Sequence, residues 1–152
     1  MKTQQQYART LYGIETRLDG DPAIQIGELW NRFLSEEIAD DIPSRLDDSI
    51  IALYCDYEAG HPKPYTFFLG CEVLDVCSAA EGFSIRYTPV GEYVEFRVTD
   101  DMPQAAIQKW QQIREMDLPR SYVADFEIHN PSSPNEVSIH VGVGTFNDQA
   151  GD

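Results

Sequence analysis

IGELWNRFL at residues 26–34 and AIQKWQQIR at residues 106–114 place a tryptophan at the same point of two amphipathic segments, and each segment runs out toward a proline loop, IPSR at Ile42 and LPRS at Leu118. Apolar residues at Ile26, Leu29, Trp30, Phe33 and Leu34 recur at helical spacing, so residues 22–37 are expected to form a helix opened by the Gly20-Asp21-Pro22 turn. Residues 103–116 form its counterpart. Before the first helix, LYGIETRL (11–18) reads as a strand; after it, residues 41–48 read as loop, and IIALYCDY (50–57) and YTFFLGCEVLDV (65–76) read as strands joined by a turn at Gly60, His61 and Pro62. The order then recurs, with strands at 83–87 and 92–98 around a Pro89–Gly91 turn, the second helix, a strand at 122–129, a turn at 130–135 and a last strand at 137–143. The chain is therefore expected to be α+β: a duplicated strand-helix-strand-strand repeat giving a strongly curved antiparallel sheet with two main helices and a pseudo-twofold groove between the halves. One domain is expected at 7–146, with tails at 1–6 and 147–152.

Composition bounds what such a domain can do. With 152 residues, eight Tyr and seven Phe, the chain can fill a core without cross-links. A formal charge of -15 excludes wrapping nucleic acid or docking on an anionic membrane surface, and favours cationic partners. No stretch is apolar enough to span a bilayer and the first residues lack a signal core, so a cytoplasmic location is expected. Cys55, Cys71 and Cys77 have no metal-ligand spacing to His61, His129 or His140; they are expected to be small buried thiols, with no metal and no cofactor.

Within YVADFEIH (122–129), alternation puts Phe126 and Ile128 on one face and Asp125, Glu127 and His129 on the other. A carboxylate in mid-strand is near the surface, tied to an internal cation, or waiting for one, because burying it unpartnered is costly. His129, on the same face, is the obvious internal partner; strand geometry puts the two roots about 6.5–7 Å apart, which does not favour direct contact. An aromatic cation site needs flat faces and apolar walls around such an acid. On the strand 50–57, Ala52, Tyr54 and Asp56 share a face, with Tyr54 at mid-strand as Glu127 is in its own. Tyr93 after Gly91, Phe68 beside Gly70, and Trp110 on its helix are further candidates, each weighed against ordinary packing; Gly70 marks a bulge or a close ligand approach.

IALYCDYE (51–58), YTFFLGCEV (65–73), PVGEY (89–93), AIQKW (106–110), DFEIHN (125–130) and VSIHVGV (137–143), in this order, resemble the GyrI-like, or bacterial effector-binding, family: the small-molecule domain of multidrug-sensing and AraC-type activators, also found free-standing and on mobile gene cassettes. The resemblance implies an aromatic-walled pocket for lipophilic cations with Glu127 at its base; Tyr54, Tyr93, Trp110, Phe68 and His129, read from the residues, are the candidate ligand-binding side chains around it. His129 departs from the tyrosine that relatives often carry there. Because the first strand begins at residue 11, no DNA-binding helices are expected before it, and a separate regulatory protein is a candidate partner. No catalytic residue is expected. Two other readings follow from the resemblance: a hydrolase of reactive small molecules with Glu127 as general base, and an acidic DNA mimic directed at a topoisomerase.

Overall fold

The computed structural model describes residues 3–58 and 64–144; the expected Gly60-His61-Pro62 turn lies outside them. In chain order the elements are β1 (Gln4–Gln6), β2 (Thr10–Leu18), α1 (Pro22–Ser35), a 3-10 turn (Ile38–Asp41), β3 (Ile50–Cys55), β4 (Tyr65–Glu72), β5 (Ser84–Tyr87), β6 (Gly91–Thr99), α2 (Gln104–Glu115), β7 (Arg120–His129) and β8 (Glu136–Val143). All eight strands form one antiparallel sheet in the order β1-β6-β8-β7-β3-β4-β2-β5. The two halves, β2-α1-β3-β4 and β6-α2-β7-β8, mirror each other across the β3–β7 pair, as the repeat requires. Their outermost strands are exchanged: β1 precedes the first half but pairs with β6, and β5 precedes the second but pairs with β2. Gln4–Gln6, expected to be tail, are thereby part of the sheet. Three glutamines carry no apolar pattern, and an edge strand that is largely exposed needs none.

Asp21 caps α1 by accepting from the Ala23 N–H at 3.1 Å, and Pro22 occupies the first turn, where a missing N–H costs nothing. Leu29 and Phe33 are the buried stripe of α1, which packs on β2 and β4; a fully buried Phe contributes about 1.5–3 kcal/mol. The helix stops at Ser35, two residues earlier than expected, because Glu37 adopts a left-handed backbone at φ 52°. Leu34, expected on the apolar stripe, is 58% exposed. It follows Phe33 by roughly 100° around the helix, enough to carry it off the packed face. On α2, Ile113 is buried against β6 and β8 residues. Trp30 and Trp110 are half-buried at the inner flanks of their helices.

The sheet curls into a half-barrel. Leu11 from β2 and Tyr93 from β6 therefore meet Leu53, Phe68 and Phe126 in one buried cluster on the concave face, away from the helices. Strand parity decides this. Tyr54 pairs with Phe67, so Phe68 points to the opposite face, and Tyr93 pairs with Gly142, out of phase with Phe96 and Val98, which pack with α2. Gly70 is neither a bulge nor a ligand approach. It faces Gly13 in continuous register, and a Cβ at either position would lie 2.3 or 2.0 Å from a carbonyl oxygen of the paired strand. The two glycines let β2 and β4 bend together closely. β4 ends at Glu72 and leaves Cys77 exposed in a loop, whereas Cys55 and Cys71 are buried as expected.

His140 lies within the concave core, stacked on Phe126 at 4.6 Å, its Nε2 3.0 Å from the Ser138 hydroxyl and its Nδ1 buried without a partner. Burial lowers its pKa to about 4. An unfolded-chain imidazole takes up its proton near pH ~6.5, so stability is full above that value and is lost as the pH falls toward that of the folded group. The loss is on the order of 3 kcal/mol. Urea midpoints at about pH 7.5 and about pH 5 should therefore differ more for the wild type than for His140→Asn; equal differences would assign the acid sensitivity elsewhere.

Candidate functional site

β7 lies at the centre of the sheet with β3 on one side and β8 on the other, so its backbone is committed to the ladders and only its side chains remain for chemistry. Glu127 pairs with Ala52 of β3 and Ile139 of β8, both fully buried, which surrounds the carboxylate with apolar neighbours. Glu127 itself is 4% exposed. Its Oε2 accepts from the Trp110 indole N–H at 2.6 Å and from the Tyr54 hydroxyl at 3.1 Å. Oε1 lies 2.7 Å from His129 Nε2. Burial, and next the Glu127 carboxylate, push the Tyr54 phenol well above its ordinary pKa, so this hydroxyl remains a donor.

Two residues along the same face, Asp125 is fully buried and differently partnered. Arg120 donates to its Oδ2 at 2.7 Å, the Tyr57 hydroxyl donates to the same oxygen, and the Gly142 N–H donates to Oδ1 at 2.9 Å. The Arg120 guanidinium also lies over the rings of Tyr122 at 4.4 Å and Trp110 at 5.8 Å. Asp125 thus has a permanent cation on aromatic faces. Glu127, held by two neutral donors and an imidazole, has none among the described residues, and this difference separates the two buried acids.

Aromatic rings continue outward from Glu127. Tyr54 packs on Phe67 at 5.2 Å, on Trp110 at 5.5 Å and on Tyr65 at 6.1 Å; Tyr65 meets Tyr57 at 5.3 Å, and Tyr57 meets Tyr122 at 5.6 Å. From the other helix, Trp30 sets its edge against the His129 ring at 4.8 Å. The two tryptophans of the repeat therefore both reach this cluster, Trp110 at Glu127 and Trp30 at His129. The carboxylate beneath these rings is all but closed off from solvent. A groove of about 200 Å³, lined by residues including Pro89, Val90, Tyr93 and Val123, lies near the β6–β8 end and does not include Glu127.

Of the expected site residues, Glu127, Tyr54, Trp110 and His129 come together. Phe68 and Tyr93 do not: they belong to the concave core, where the Tyr93 hydroxyl donates to the Pro89 carbonyl at 2.8 Å. Direct contact between His129 and Glu127, not favoured by root spacing, nevertheless occurs, the two side chains together spanning the interval. Asp56, expected beside Tyr54, turns away to Arg86 at 2.9 Å. The cause is its left-handed backbone at φ 54°, which breaks alternation at the end of β3 and swings Tyr57 onto the site's face instead. Tyr57, Tyr65, Phe67, Tyr122, Arg120 and Trp30 were not among the expected site residues. Parity with Tyr54 through the β3–β4 register would have found Phe67 and Tyr65; nothing in the composition announces the left-handed residues Asp56 and Tyr122.

A buried acid walled by aromatic rings lies at the seam of a duplicated α+β half-barrel. A family model described as Cass2, integron-associated effector binding protein, matches residues 5–143, and the chain belongs to this family. Among solved structures, the chain is similar to SAV2435 bound to tetraphenylphosphonium, with 18% identity and a TM-score of 0.78 over 97% of this chain and 95% of that one. It is also similar to the integron cassette protein VCH_CASS2 from the mobile metagenome of Vibrio cholerae, at 25% identity and TM-score 0.71 over 94% and 95% of the two chains. EcmrR, solved in complex with DNA, shares the fold at 13% identity and TM-score 0.56, over 94% of this chain and 57% of that one. No match was found among curated proteins. No helix among the described residues is long and apolar enough to cross a membrane, and no cluster of metal-ligating side chains occurs among them.

Proposed function

We propose that this protein binds hydrophobic organic cations, with Glu127 as the charge that receives them and Tyr54, Trp110, Trp30 and the flanking tyrosines as the walls. The observation that carries the reading is the contrast between Asp125, which has its own guanidinium on aromatic rings, and Glu127, which is also buried among aromatic rings but has no permanent cation among the described residues. A lipophilic cation supplies both the missing charge and the apolar area that compensates for moving the rings. Membership of an effector-binding family supports binding over hydrolysis, and the tetraphenylphosphonium found with SAV2435 is a ligand of this chemistry. The negative net charge raises the local concentration of such ligands.

Calorimetric titration with tetraphenylphosphonium should give one saturable site at micromolar strength, about -8 kcal/mol. A neutral tetraaryl analogue of the same shape should bind at least about tenfold more weakly, since it lacks the desolvated charge contact. Equal affinities would remove the cation from the reading and leave a purely apolar site.

A further inference from the structure

We infer that His129 is a competitor built into the site: its imidazole holds the Glu127 oxygen that a bound cation takes over, and so selects which cations bind. The inference rests on the reading of Glu127 as the cation receptor and concerns how that receptor is kept closed. The two carboxylate oxygens are unequally engaged. Oε2 is fixed by Trp110 and Tyr54, whereas among the described residues Oε1 is hydrogen-bonded by His129 alone. The His129 side chain is 24% exposed against 6% for Glu127, so the imidazole lies on the solvent side of the acid. Trp30 braces it edge-on from α1. Its neighbours in register, Ile50 on β3 and Val137 on β8, are apolar, and the ionisable group it is bonded to is Glu127.

Such an arrangement has a direct consequence for selectivity. A ligand must recover the hydrogen bond between His129 and Oε1 before it gains anything from the acid. A small hydrated cation, which would also have to shed its water, has no apolar area with which to do so. A large lipophilic cation does, because it buries its surface against the same rings that it displaces. The imidazole contributes one hydrogen bond, which such a ligand displaces at modest cost; a permanent ammonium in its place would form a partly desolvated ion pair and be displaced with difficulty.

The test is a tetraphenylphosphonium titration of wild type, His129→Leu and His129→Lys. His129→Leu should bind about tenfold more tightly than wild type, and His129→Lys, a permanent competitor, should bind at least about tenfold more weakly. Saturable wild-type binding with the same affinity in His129→Leu would overturn the inference alone, as would weaker binding by His129→Leu, which would make the ring a ligand wall. Absence of binding by all three proteins would overturn the cation-receptor reading and this inference with it.

Discussion

Glu127→Gln should weaken tetraphenylphosphonium binding on the order of 100-fold while leaving the melting temperature unchanged or slightly raised. The two effects part because the carboxylate's partners are mostly compatible with an amide. Its carbonyl oxygen can accept from Trp110 and Tyr54, and its NH2 can donate to His129 Nε2 once that ring carries its proton on Nδ1. What the amide lacks is charge. An ionic contact in a site 4% exposed to solvent is worth about 2–4 kcal/mol to a cation that fills it. Glu58 provides the control for long-range charge: it is exposed and paired with Arg17 at 2.8 Å, and Glu58→Gln should change affinity less than about twofold. Calorimetry and thermal melting on the same samples decide the matter; an unchanged affinity with a large loss of stability would make Glu127 a structural residue.

Asp125→Ala should do the opposite, costing about 3–5 kcal/mol of folding stability in urea titration. Removing this carboxylate strands the Arg120 guanidinium, whose side chain is 10% exposed, and leaves the Gly142 N–H and the Tyr57 hydroxyl without their acceptor. Arg120 already has one buried unpartnered atom, Nε, so little reserve exists for accommodating a second loss. Asp125→Asn should cost less, because its carbonyl oxygen still accepts. A measured loss below about 1 kcal/mol for Asp125→Ala would show that the pair is not part of the framework.

These two acids show how far the chain could be read before its structure. Alternation along 122–129 puts both on one face, and the recurrence of Trp30 and Trp110 in two amphipathic segments yields the duplicated α+β plan, because period and order are local properties of sequence. What alternation does not encode is where it fails. A single left-handed residue, Asp56, sends its own side chain to Arg86 and brings Tyr57 to Asp125, and Tyr122 introduces a second such break in β7. Parity also had to be carried across strands. Tyr93 and Phe68 are aromatic residues beside glycines, as a pocket wall could be, and only the pairings Tyr93↔Gly142 and Tyr54↔Phe67 assign them to the concave core. The exchange of β1 and β5 between halves was illegible for another reason: an exposed edge strand such as Gln4–Gln6 carries no apolar pattern to detect.

The most direct test of the central claim is the structure of the complex with tetraphenylphosphonium. The phosphorus should lie within about 6 Å of the Glu127 carboxylate, with phenyl groups against Tyr54, Trp110 and Trp30, the His129–Oε1 contact broken, and Asp125 still paired with Arg120. A cation seated instead in the groove beside Pro89, Val90 and Val123, with the partners of Glu127 unchanged, would contradict the account.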